Sequence, residues 1–416
     1  MEKIKAPWYY LSLLILAGES VFFLPYVLSR IFRPTVLEVF EIDNVELGLC
    51  FSVYGMVAII SYLFGGPIAD KYPPRKLISM ALFLTSLGGV VYATFPSFFV
   101  LKMLYGYWGF TTVLLFWSPM IKAARIWGTS ASQLKAFGWL EGGRGIVGAF
   151  IASMGVLIFA LFINEDHAGL GIEERRSAFK YVIYFTSILV ACVGVLVWFL
   201  LKMNEQKEVV IEKIELDKVF EVLRLPAVWL LMLIIMCAYM GYKTTDVISL
   251  YARDVMQYSQ VKSAKIATFL LYARPVIAIF IVLFLNRLES TFMLFLGFVV
   301  SCIGALLFSS GLISQSFPIS FMLSIIVLAV GVYGLRALYF SIMEKGQIPL
   351  KLTGTAVGLV SLVGYAPDIF SGPLIGYFLD DYPGIQGHQY VFLMLAIFSF
   401  FGAVASLRYY VLYRTY

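Results

Sequence analysis

Charged residues are scarce in this sequence of 416 residues, at 13% of the total, whereas hydrophobic residues make up 61%. Globular soluble proteins contain about a quarter charged residues, so the composition excludes an ordinary soluble domain. Mean hydropathy is +0.89. We expect an all-α protein that crosses a lipid bilayer many times, because helices satisfy their own backbone hydrogen bonds inside the membrane.

Cysteine and histidine are also rare. The four cysteines fall in or beside apolar runs without paired spacing, which argues against a disulfide framework or a metal site. The only two histidines, His167 and His388, are expected in loops, which would exclude a buried histidine as a proton carrier. No Gly-x-x-x-x-Gly-Lys-Ser/Thr loop, which binds ATP phosphates, is present, so we do not expect the protein to be driven by ATP hydrolysis. We therefore expect no metal and no cofactor.

Long apolar runs dominate what is present. They predict twelve spanning helices, at about 8–28, 47–67, 77–95, 99–121, 137–163, 181–201, 227–250, 266–286, 291–313, 320–342, 355–379 and 390–412. With the amino terminus inside, most lysines and arginines fall in cytoplasmic segments. The protein is thus expected in a bacterial cytoplasmic (inner) membrane with both termini cytoplasmic. The net charge of +6 indicates contact with anionic lipid rather than with nucleic acid.

One long charged connection, 202–226, divides the chain into an amino-terminal lobe, 1–201, and a carboxyl-terminal lobe, 227–416. Apolar positions inside the connection predict an amphipathic helix at the membrane surface. Similar residue types recur after about 220 residues, as around Tyr54 and Tyr272, which indicates a duplicated six-helix unit. Such parallel halves are expected to hold a site between them near the midplane of the membrane.

The segment 65–76, Gly-Gly-Pro-Ile-Ala-Asp-Lys-Tyr-Pro-Pro-Arg-Lys, joins the second and third apolar runs and is expected to form a tight cytoplasmic turn. It resembles the loop between the second and third helices of the major facilitator superfamily, whose signature is Gly, three residues, Asp, Arg or Lys, one residue, Gly and two basic residues. The residues that fit are Gly66, Asp70, Lys71, Arg75 and Lys76. Pro73 and Pro74 replace the family glycine and move the basic pair one place on.

The resemblance implies a secondary transporter with two six-helix lobes. It also implies that Asp70 caps a neighbouring helix and forms an ion pair across the lobes when the carrier is open to the outside. A solvated membrane-edge loop with no special role is the alternative. The strings at 141–145, 336–340 and 364–368 resemble a bacterial branch near the YihN-type carriers and, more remotely, the organophosphate antiporters.

Ionisable residues inside the apolar runs are the candidate functional residues. An ionised side chain at the centre of a lone helix costs about 2.5–3.5 kcal/mol on insertion scales, so these residues need partners or water. They should face a shared polar cavity in which a substrate binds. They are Glu19, Lys102, Glu141, Arg144, Lys243, Asp246, Arg274, Arg336 and Asp368.

Two of the acids are candidates for proton coupling. Glu19 lies in the middle of the first apolar run, where a carboxyl group can take up and release a proton. Asp368 follows Gly364-Tyr365-Ala366-Pro367, which, with Ser371-Gly372-Pro373, is expected to interrupt the eleventh helix and to form a hinge. A structural acid that stays protonated or is paired with a lysine is the alternative for Glu19.

Two further pairs have helical spacing. Glu141 and Arg144 are three residues apart, as are Lys243 and Asp246, so each pair lies on one helix face. We interpret these residues as gates or substrate contacts, with structural ion pairs as the alternative. Lys102 occupies a place where superfamily members often have a basic residue, although a lysine that reaches to the outer surface explains it almost as well.

Arg274 and Arg336 have no acid within helical reach and are suited to bind an anion bidentately. Pairing with an acid elsewhere in the bundle is the alternative. The tyrosines expected beside the substrate are Tyr54, Tyr242, Tyr272 and Tyr365.

These residues predict a monomeric secondary active transporter of a small organic anion, such as a carboxylate, phosphate or sulfonate, coupled to protons and working by alternating access. Two alternatives stay open. One is an exporter of amphipathic or lipid-like compounds, and the other is a membrane sensor or a membrane-embedded enzyme. The enzyme is disfavoured because no acid, base or metal constellation gathers near one membrane face.

Overall fold

A computed structural model describes residues 7–127, 133–163, 171–202, 216–284, 289–339, 342, 346 and 353–413. Its first six long helices are α1 (Trp8–Ile31), α2 (Asn44–Lys71), α3 (Pro74–Tyr92), α4 (Phe98–Gly109, Phe110–Trp117 and Ser118–Trp127), α5 (Gln133–Phe162) and α6 (Ile172–Leu200). The next six are α7 (Pro226–Asp254), α8 (Gln260–Phe284), α9 (Ser290–Ser309), α10 (Pro318–Leu338), α11 (Thr353–Gly364 and Pro367–Asp381) and α12 (Ile385–Tyr413).

Within the described residues, twelve helices are long and apolar enough to cross a membrane, which confirms the predicted number of spans. Several helices extend beyond the predicted apolar runs. For example, α6 begins at Ile172 rather than near residue 181. Helices need not end where the apolar run ends, because polar residues can continue the helix outside the hydrocarbon region. Two shorter helices, Arg33–Phe40 and Leu216–Leu223, lie outside the spans.

The helix Leu216–Leu223 agrees with the amphipathic helix predicted in the charged connection. Residues 203–215 of that connection lie outside the described part of the chain.

The expectation of a tight turn over 65–76 was wrong in its extent. α2 continues to Lys71 with Pro67 inside it, and α3 begins at Pro74, so only Tyr72 and Pro73 connect the two helices. Proline at the first helical position is favourable because its missing N–H would have no partner there.

Three of the described spans contain π-helical or 3₁₀ turns. α1 contains a π-helical turn at Phe23–Val27, and α4 contains a longer one at Phe110–Trp117. α7 consists of Pro226–Thr244, a 3₁₀ turn at Thr245–Val247, and Ile248–Asp254. Such irregular turns inside helices often mark hinges or functional sites.

α11 is interrupted at Tyr365 and Ala366, which confirms the first predicted break. The second predicted break, at Ser371-Gly372-Pro373, was wrong because the segment Pro367–Asp381 runs through Pro373. Neighbouring groups in a helix bundle can satisfy the backbone carbonyl that an internal proline frees.

The contacts divide the chain into two compact units. The first unit contains residues 1–211 and 259–275, and the second contains 212–258 and 276–416. The beginning of α8 belongs to the first unit because Gln260 accepts a hydrogen bond from Thr35 (3.2 Å) and donates one to Glu38 (2.6 Å). The predicted lobe boundaries, 1–201 and 227–416, stay a prediction. The predicted carboxyl-terminal lobe contains all of α8, whereas the contacts place α8 up to residue 275 in the first unit.

The second unit is held together by close helix packing. A Cβ atom on Gly331 of α10 would lie 2.4 Å from the backbone nitrogen of Ser301 on α9, and one on Gly402 of α12 would lie 2.2 Å from the ring of Phe298. Small residues at these positions let the backbones approach closely, which is how helices associate in a bilayer.

Candidate functional site

In the second unit, Lys243 of α7 lies between two carboxylates. Its Nζ is 3.3 Å from Asp368 Oδ1 and 3.7 Å from Asp246 Oδ2. The lysine side chain is 3% exposed, and those of the two acids are 17% and 7% exposed, respectively. The predicted Lys243–Asp246 pair is therefore present, but Asp368 from α11 is the nearer partner of the lysine.

Asp368 is also held by a tyrosine. Tyr239 Oη lies 3.0 and 3.1 Å from the two oxygens of Asp368 and donates to this carboxylate. Asp368 stands in the first turn of the helix that restarts at Pro367, where the helix dipole favours a negative charge. The break in α11 thus places the carboxylate beside α7 and provides a helix N-terminus that stabilises it.

Arg336 of α10 stacks on an aromatic ring beside this ion-pair network. The centre of its guanidinium is 4.0 Å from the centroid of the Tyr242 ring, a cation–π contact. Tyr242 lies against Tyr239 with ring centroids 5.8 Å apart, and Tyr365 meets Tyr239 edge-on at 4.8 Å. The Tyr365 hydroxyl is 3.3 Å from that of Tyr339.

We call this set of side chains the basic-aromatic cluster. It consists of Tyr239, Tyr242, Lys243, Asp246, Arg336, Tyr339, Tyr365 and Asp368. With every group in its ordinary ionisation state, the two cations and the two carboxylates have a total charge of zero. A charged ligand that enters the cluster would upset this balance.

A second buried ion pair lies in the first unit. Arg144 Nε of α5 is 3.4 Å from Glu19 Oε2 of α1, and each side chain is 6% exposed. The guanidinium also lies over the rings of Phe22 and Trp117, at 5.6 and 5.7 Å. The alternative that Arg144 pairs with Glu141 is not tested, because the side chain of Glu141 lies outside the described part of the structure.

Two glycines make room for this pair. A Cβ on Gly148 would lie 2.7 Å from Glu19 Oε1, and one on Gly18 would lie 3.1 Å from Arg144 Cδ. The pair joins residues far apart in the sequence, so the three-residue spacing of Glu141 and Arg144 could not reveal it.

The other predicted site residues are more scattered. The Tyr54 hydroxyl is hydrogen-bonded to Thr112 in the π-helical part of α4. Tyr272 is 43% exposed, and its hydroxyl is 2.9 Å from Ser153 Oγ. Arg274 is buried and belongs to the first unit, whereas Arg336 belongs to the second.

Lys102 lies near the beginning of α4, with its Nζ 5.1 Å from the ring centroid of Phe98. Its side chain is half-buried, a position compatible with either of its two interpretations.

In the 65–76 segment the role implied for Asp70 stays a prediction, and the structure describes the contacts of the neighbouring basic residues. The side chain of Asp70 lies outside the described part of the structure. Lys71 lies over the Tyr72 ring, Arg75 lies over the Trp198 ring, and Lys76 is exposed. A Cβ on Gly66 would meet no atom within 4 Å.

One contact of the 65–76 segment was not predicted from the sequence. Lys122 at the end of α4 donates to the Ala69 carbonyl at 2.7 Å. The lysine thereby stabilises the C-terminal end of α2, where a positive charge is favourable.

The expectation that His388 lies in a loop was wrong. His388 is part of α12, is fully buried, and has its Nε2 3.1 Å from Asp254 Oδ2 at the end of α7. The string Gly-Ile-Gln-Gly-His resembles a loop, but Gly387 is there for packing, since a Cβ would lie 2.4 Å from the Tyr382 carbonyl. His167 lies outside the described residues.

Across the described residues, no group of three or more His, Cys, Asp or Glu side chains is arranged to hold a metal ion. The charged groups described above are instead paired with one another or stacked on aromatic rings.

Twelve apolar spans, four of which contribute to buried ion pairs, are typical of a polytopic membrane carrier. The sequence model of the Major Facilitator Superfamily matches residues 14–371, and the chain belongs to this superfamily. It is a multi-pass membrane transporter rather than an enzyme, and its relatives support an inner-membrane location.

Two Escherichia coli K12 proteins are similar along nearly their whole length. Inner membrane protein YqcE is 28% identical over 403 residues, which cover 93% of this chain and 91% of the relative. Inner membrane protein YihN is 28% identical over 412 residues, with 97% and 95% covered.

Solved structures show the same fold at low sequence identity. A point mutant of the nucleoside transporter NupG has a TM-score of 0.72 at 14% identity, covering 96% of this chain and 98% of that one. A bacterial homologue of the human lysosomal transporter Spinster, in an inward-facing and occupied conformation, has a TM-score of 0.69 at 15% identity, with 96% of each chain covered.

Proposed function

We propose that this transporter carries a small organic anion, with a carboxylate, phosphate or sulfonate group, across the cytoplasmic membrane together with a proton. The stacking of Arg336 on Tyr242 within the basic-aromatic cluster carries the proposal. A guanidinium presents a planar fork of N–H donors, and such a fork binds oxyanions through two parallel hydrogen bonds.

The tyrosines of the cluster support a substrate that also has hydroxyl groups or a ring. Tyr239, Tyr365 and Tyr339 bring three hydroxyl groups and their aromatic faces to the same place. Phenolic hydroxyls both donate and accept hydrogen bonds, so they suit a hydroxylated organic anion better than a purely apolar molecule. The polar character of the cluster therefore disfavours the export of lipid-like compounds.

Charge balance supports coupling to protons. The four ionised side chains of the cluster sum to zero, so an anion bound at Arg336 adds one negative charge in a poorly solvated place. Protonation of Asp368 restores neutrality and leaves Lys243 paired with Asp246. Buried groups avoid uncompensated charge because of its high cost, so anion and proton are expected to bind together.

Glu19 is proposed as the second proton-carrying group, because its ion pair with Arg144 is almost fully buried. A proton on Glu19 would release the Arg144 guanidinium, which would remain on the rings of Phe22 and Trp117. Transport is proposed to proceed by alternating access in a monomer whose termini are both cytoplasmic.

The first experiment identifies the ligand class by thermal stability of the purified protein. The probes are glucuronate, glucose 6-phosphate and 2-hydroxyethanesulfonate, with glucose and adenosine as neutral comparators. A ligand that binds only the folded protein raises its melting temperature. We expect at least one of the anions to do so, and the effect should be lost in Arg336→Lys, which keeps the charge but loses the planar fork.

A matched control is Arg253→Lys, because Arg253 lies outside the cluster and donates to the Tyr258 carbonyl at 3.2 Å. This variant should respond like the wild type. Stabilisation by a neutral comparator alone, or an anion response unchanged in Arg336→Lys, would refute the organic-anion proposal.

The second experiment measures uptake of the stabilising anion into proteoliposomes with and without an imposed pH gradient. Wild type should accumulate the anion only with the gradient, and Asp368→Asn should lose this accumulation while still exchanging anion across the membrane. Accumulation that ignores the gradient would refute proton coupling but leave the anion assignment standing.

A further inference from the structure

A groove on the surface of the first unit lies between α5 and α8, and the function proposed above does not use it. Its volume is about 440 Å³. The wall formed by α5 consists of Ser153, Val156, Leu157 and Ala160. The wall formed by α8 consists of Lys265, Thr268, Phe269 and Tyr272. Both walls belong to the first unit.

Each wall is one face of a helix. The lining positions on α5 and on α8 have the same spacing, in which residues i, i+3, i+4 and i+7 share a face. Consecutive spans cross the membrane in opposite directions, so α5 and α8, three spans apart, are antiparallel. Seven residues advance a helix by about 10.5 Å, so the groove is about two turns long. Ala160 and Lys265 lie at one end of it, and Ser153 and Tyr272 lie at the other.

The two ends of the groove differ chemically. The Ser153 hydroxyl donates to the Ala149 carbonyl at 2.9 Å, so the Tyr272 hydroxyl, also 2.9 Å away, donates to Ser153. This hydrogen bond bridges α5 and α8 at one end. At the other end the exposed Lys265 lies five residues after the beginning of α8 at Gln260. Within the described part of the chain, Lys265 forms no ion pair.

The walls between these ends are mainly apolar, and part of their surface is exposed. Leu157 is 51% exposed and Phe269 is 39% exposed. Both residues lie in segments that are apolar enough to cross the membrane, Gly142–Phe162 and Gln260–Ile281. Inside a bilayer such a surface is in contact with hydrocarbon, and the hydrocarbon of a bilayer is the acyl chains of its lipids. An acyl chain is therefore the part of an occupant that fits the walls.

Lys265 indicates which headgroup suits this chain. A lysine near the end of a spanning helix extends its ammonium towards the level of the headgroups, where phosphate groups lie. An anionic lipid offers this ammonium a negative charge that is not balanced within the lipid, whereas a zwitterionic lipid brings its own cation. An apolar groove with a cation at its mouth is thus complementary to an anionic phospholipid.

A protein partner fits the groove less well. A stable protein interface buries about 800 Å² on each partner. A strip two helical turns long and about one helix wide covers only on the order of 100 Å². The volume of the groove lies instead within the range of about 300–1,000 Å³ that is typical of small-molecule sites.

We propose that the groove between α5 and α8 binds one anionic phospholipid, with an acyl chain between the two walls and the headgroup phosphate at Lys265 Nζ. The lipid is a bound structural ligand and is not the transported anion. It fills the space between α5 and α8 and thereby stabilises their contact.

The first test compares two phospholipids that differ only in headgroup. The purified full-length protein in detergent is mixed with equal amounts of dioleoylphosphatidylglycerol, which is anionic, and dioleoylphosphatidylcholine, which is zwitterionic. Native mass spectrometry then identifies the first lipid bound. Wild type should prefer phosphatidylglycerol, and Lys265→Gln should lower this preference about fivefold, the effect of one lysine near an anionic headgroup.

The matched control for the charge is Lys180→Gln. Lys180 is also an exposed lysine on a spanning helix, α6, but its Nζ lies 5.9 Å from the centroid of the Tyr184 ring and outside the groove. This variant should keep the preference of the wild type.

The second test fills the groove and keeps the charge. Ala160→Trp places a large side chain between the walls and should weaken binding of the first phosphatidylglycerol about tenfold, the effect of about two methylene groups that are no longer buried. Leu161→Trp is the matched control, because Leu161 is the next residue on α5, is 72% exposed and does not line the groove. It should bind the lipid as the wild type does.

Melting temperatures without added phospholipid separate a loss of lipid binding from a loss of fold. All four variants, Lys265→Gln included, should then melt like the wild type, because each replaced side chain is exposed or half-buried. With phosphatidylglycerol added, the wild type and the two control variants should gain more stability than Lys265→Gln and Ala160→Trp.

A preference for phosphatidylglycerol that survives Lys265→Gln would refute the headgroup site, and unchanged lipid binding in Ala160→Trp would refute the groove. Displacement of the lipid by sn-glycerol 3-phosphate would overturn the proposal by showing that the headgroup alone is recognised. A wild-type dimer that is lost in Ala160→Trp would overturn it by showing that a second copy of the chain covers the groove. None of these measurements involves transport, so their outcome is independent of the organic-anion proposal.

Discussion

The ion pair of Lys243 with Asp368 provides a quantitative test of the basic-aromatic cluster. At 3.3 Å and an effective dielectric constant of about 20, Coulomb's law gives an attraction of about 5 kcal/mol, before the cost of desolvation is subtracted. The attraction to Asp246 at 3.7 Å is about 4.5 kcal/mol on the same basis. Lys243 therefore stabilises two carboxylates at once.

Replacement of Lys243 by Gln leaves both carboxylates without that cation. We expect it to lower the free energy of unfolding by about 3–5 kcal/mol, the usual cost of removing one partner of a buried pair. Asp368→Asn should cost less, about 1.5–3 kcal/mol, because Lys243 keeps Asp246 and the asparagine can still accept from Tyr239. The double variant should cost less than the sum of the two single variants.

The assay is equilibrium unfolding of the purified variants in detergent by added denaturant, with the folded fraction followed spectroscopically. All four members of the double-mutant cycle are measured under conditions in which the protein refolds when the denaturant is diluted, because a free energy requires a reversible transition. Lys265→Gln, an exposed lysine on α8, is the control and should stay within about 0.5 kcal/mol of wild type. Strict additivity of Lys243→Gln and Asp368→Asn would refute a direct interaction.

Three further predictions concern Glu19, Arg336 and the packing around two glycines. Glu19→Gln should abolish the response of uptake to an imposed pH gradient but preserve exchange of the anion, and a normal gradient response in proteoliposomes would contradict a proton-carrying role. Arg336→Lys should weaken anion binding at least tenfold, measured by the concentration that gives half-maximal thermal stabilisation, because it loses one planar, bidentate contact of about 1.5–3 kcal/mol. Gly331→Ala should strongly lower the melting temperature because the added Cβ would meet backbone at 2.4 Å, whereas Gly142→Ala, with no atom within 4 Å of its Cβ, should be neutral. Equal melting temperatures for these two variants would contradict the packing described here.

The number of spans was predictable because a helix must satisfy its own backbone in the bilayer, and this forces long apolar runs that can be counted. The break before Pro367 was predictable for a related reason, since proline removes a backbone donor and a glycine nearby favours a bend. Pro373 shows the limit of that argument, because the same residue type is accommodated inside Pro367–Asp381.

The charged site residues were recognisable as a set but not as pairs. Spacing along one helix correctly indicated that Lys243 and Asp246 are neighbours. It gave no information on the Lys243–Asp368 and Glu19–Arg144 contacts, which join different helices. His388 was misplaced for the same reason, since its burial depends on how closely Gly387 packs on the end of α11.

The amino-acid sequence by itself determined that this protein crosses the membrane twelve times, because the cost of exposing backbone and charge to hydrocarbon requires long apolar runs with few charged residues. Only the tertiary structure decided which acid meets which base, and that a histidine is sealed between two helix ends. Those contacts depend on the rotation and close approach of separate helices, which local sequence patterns do not encode.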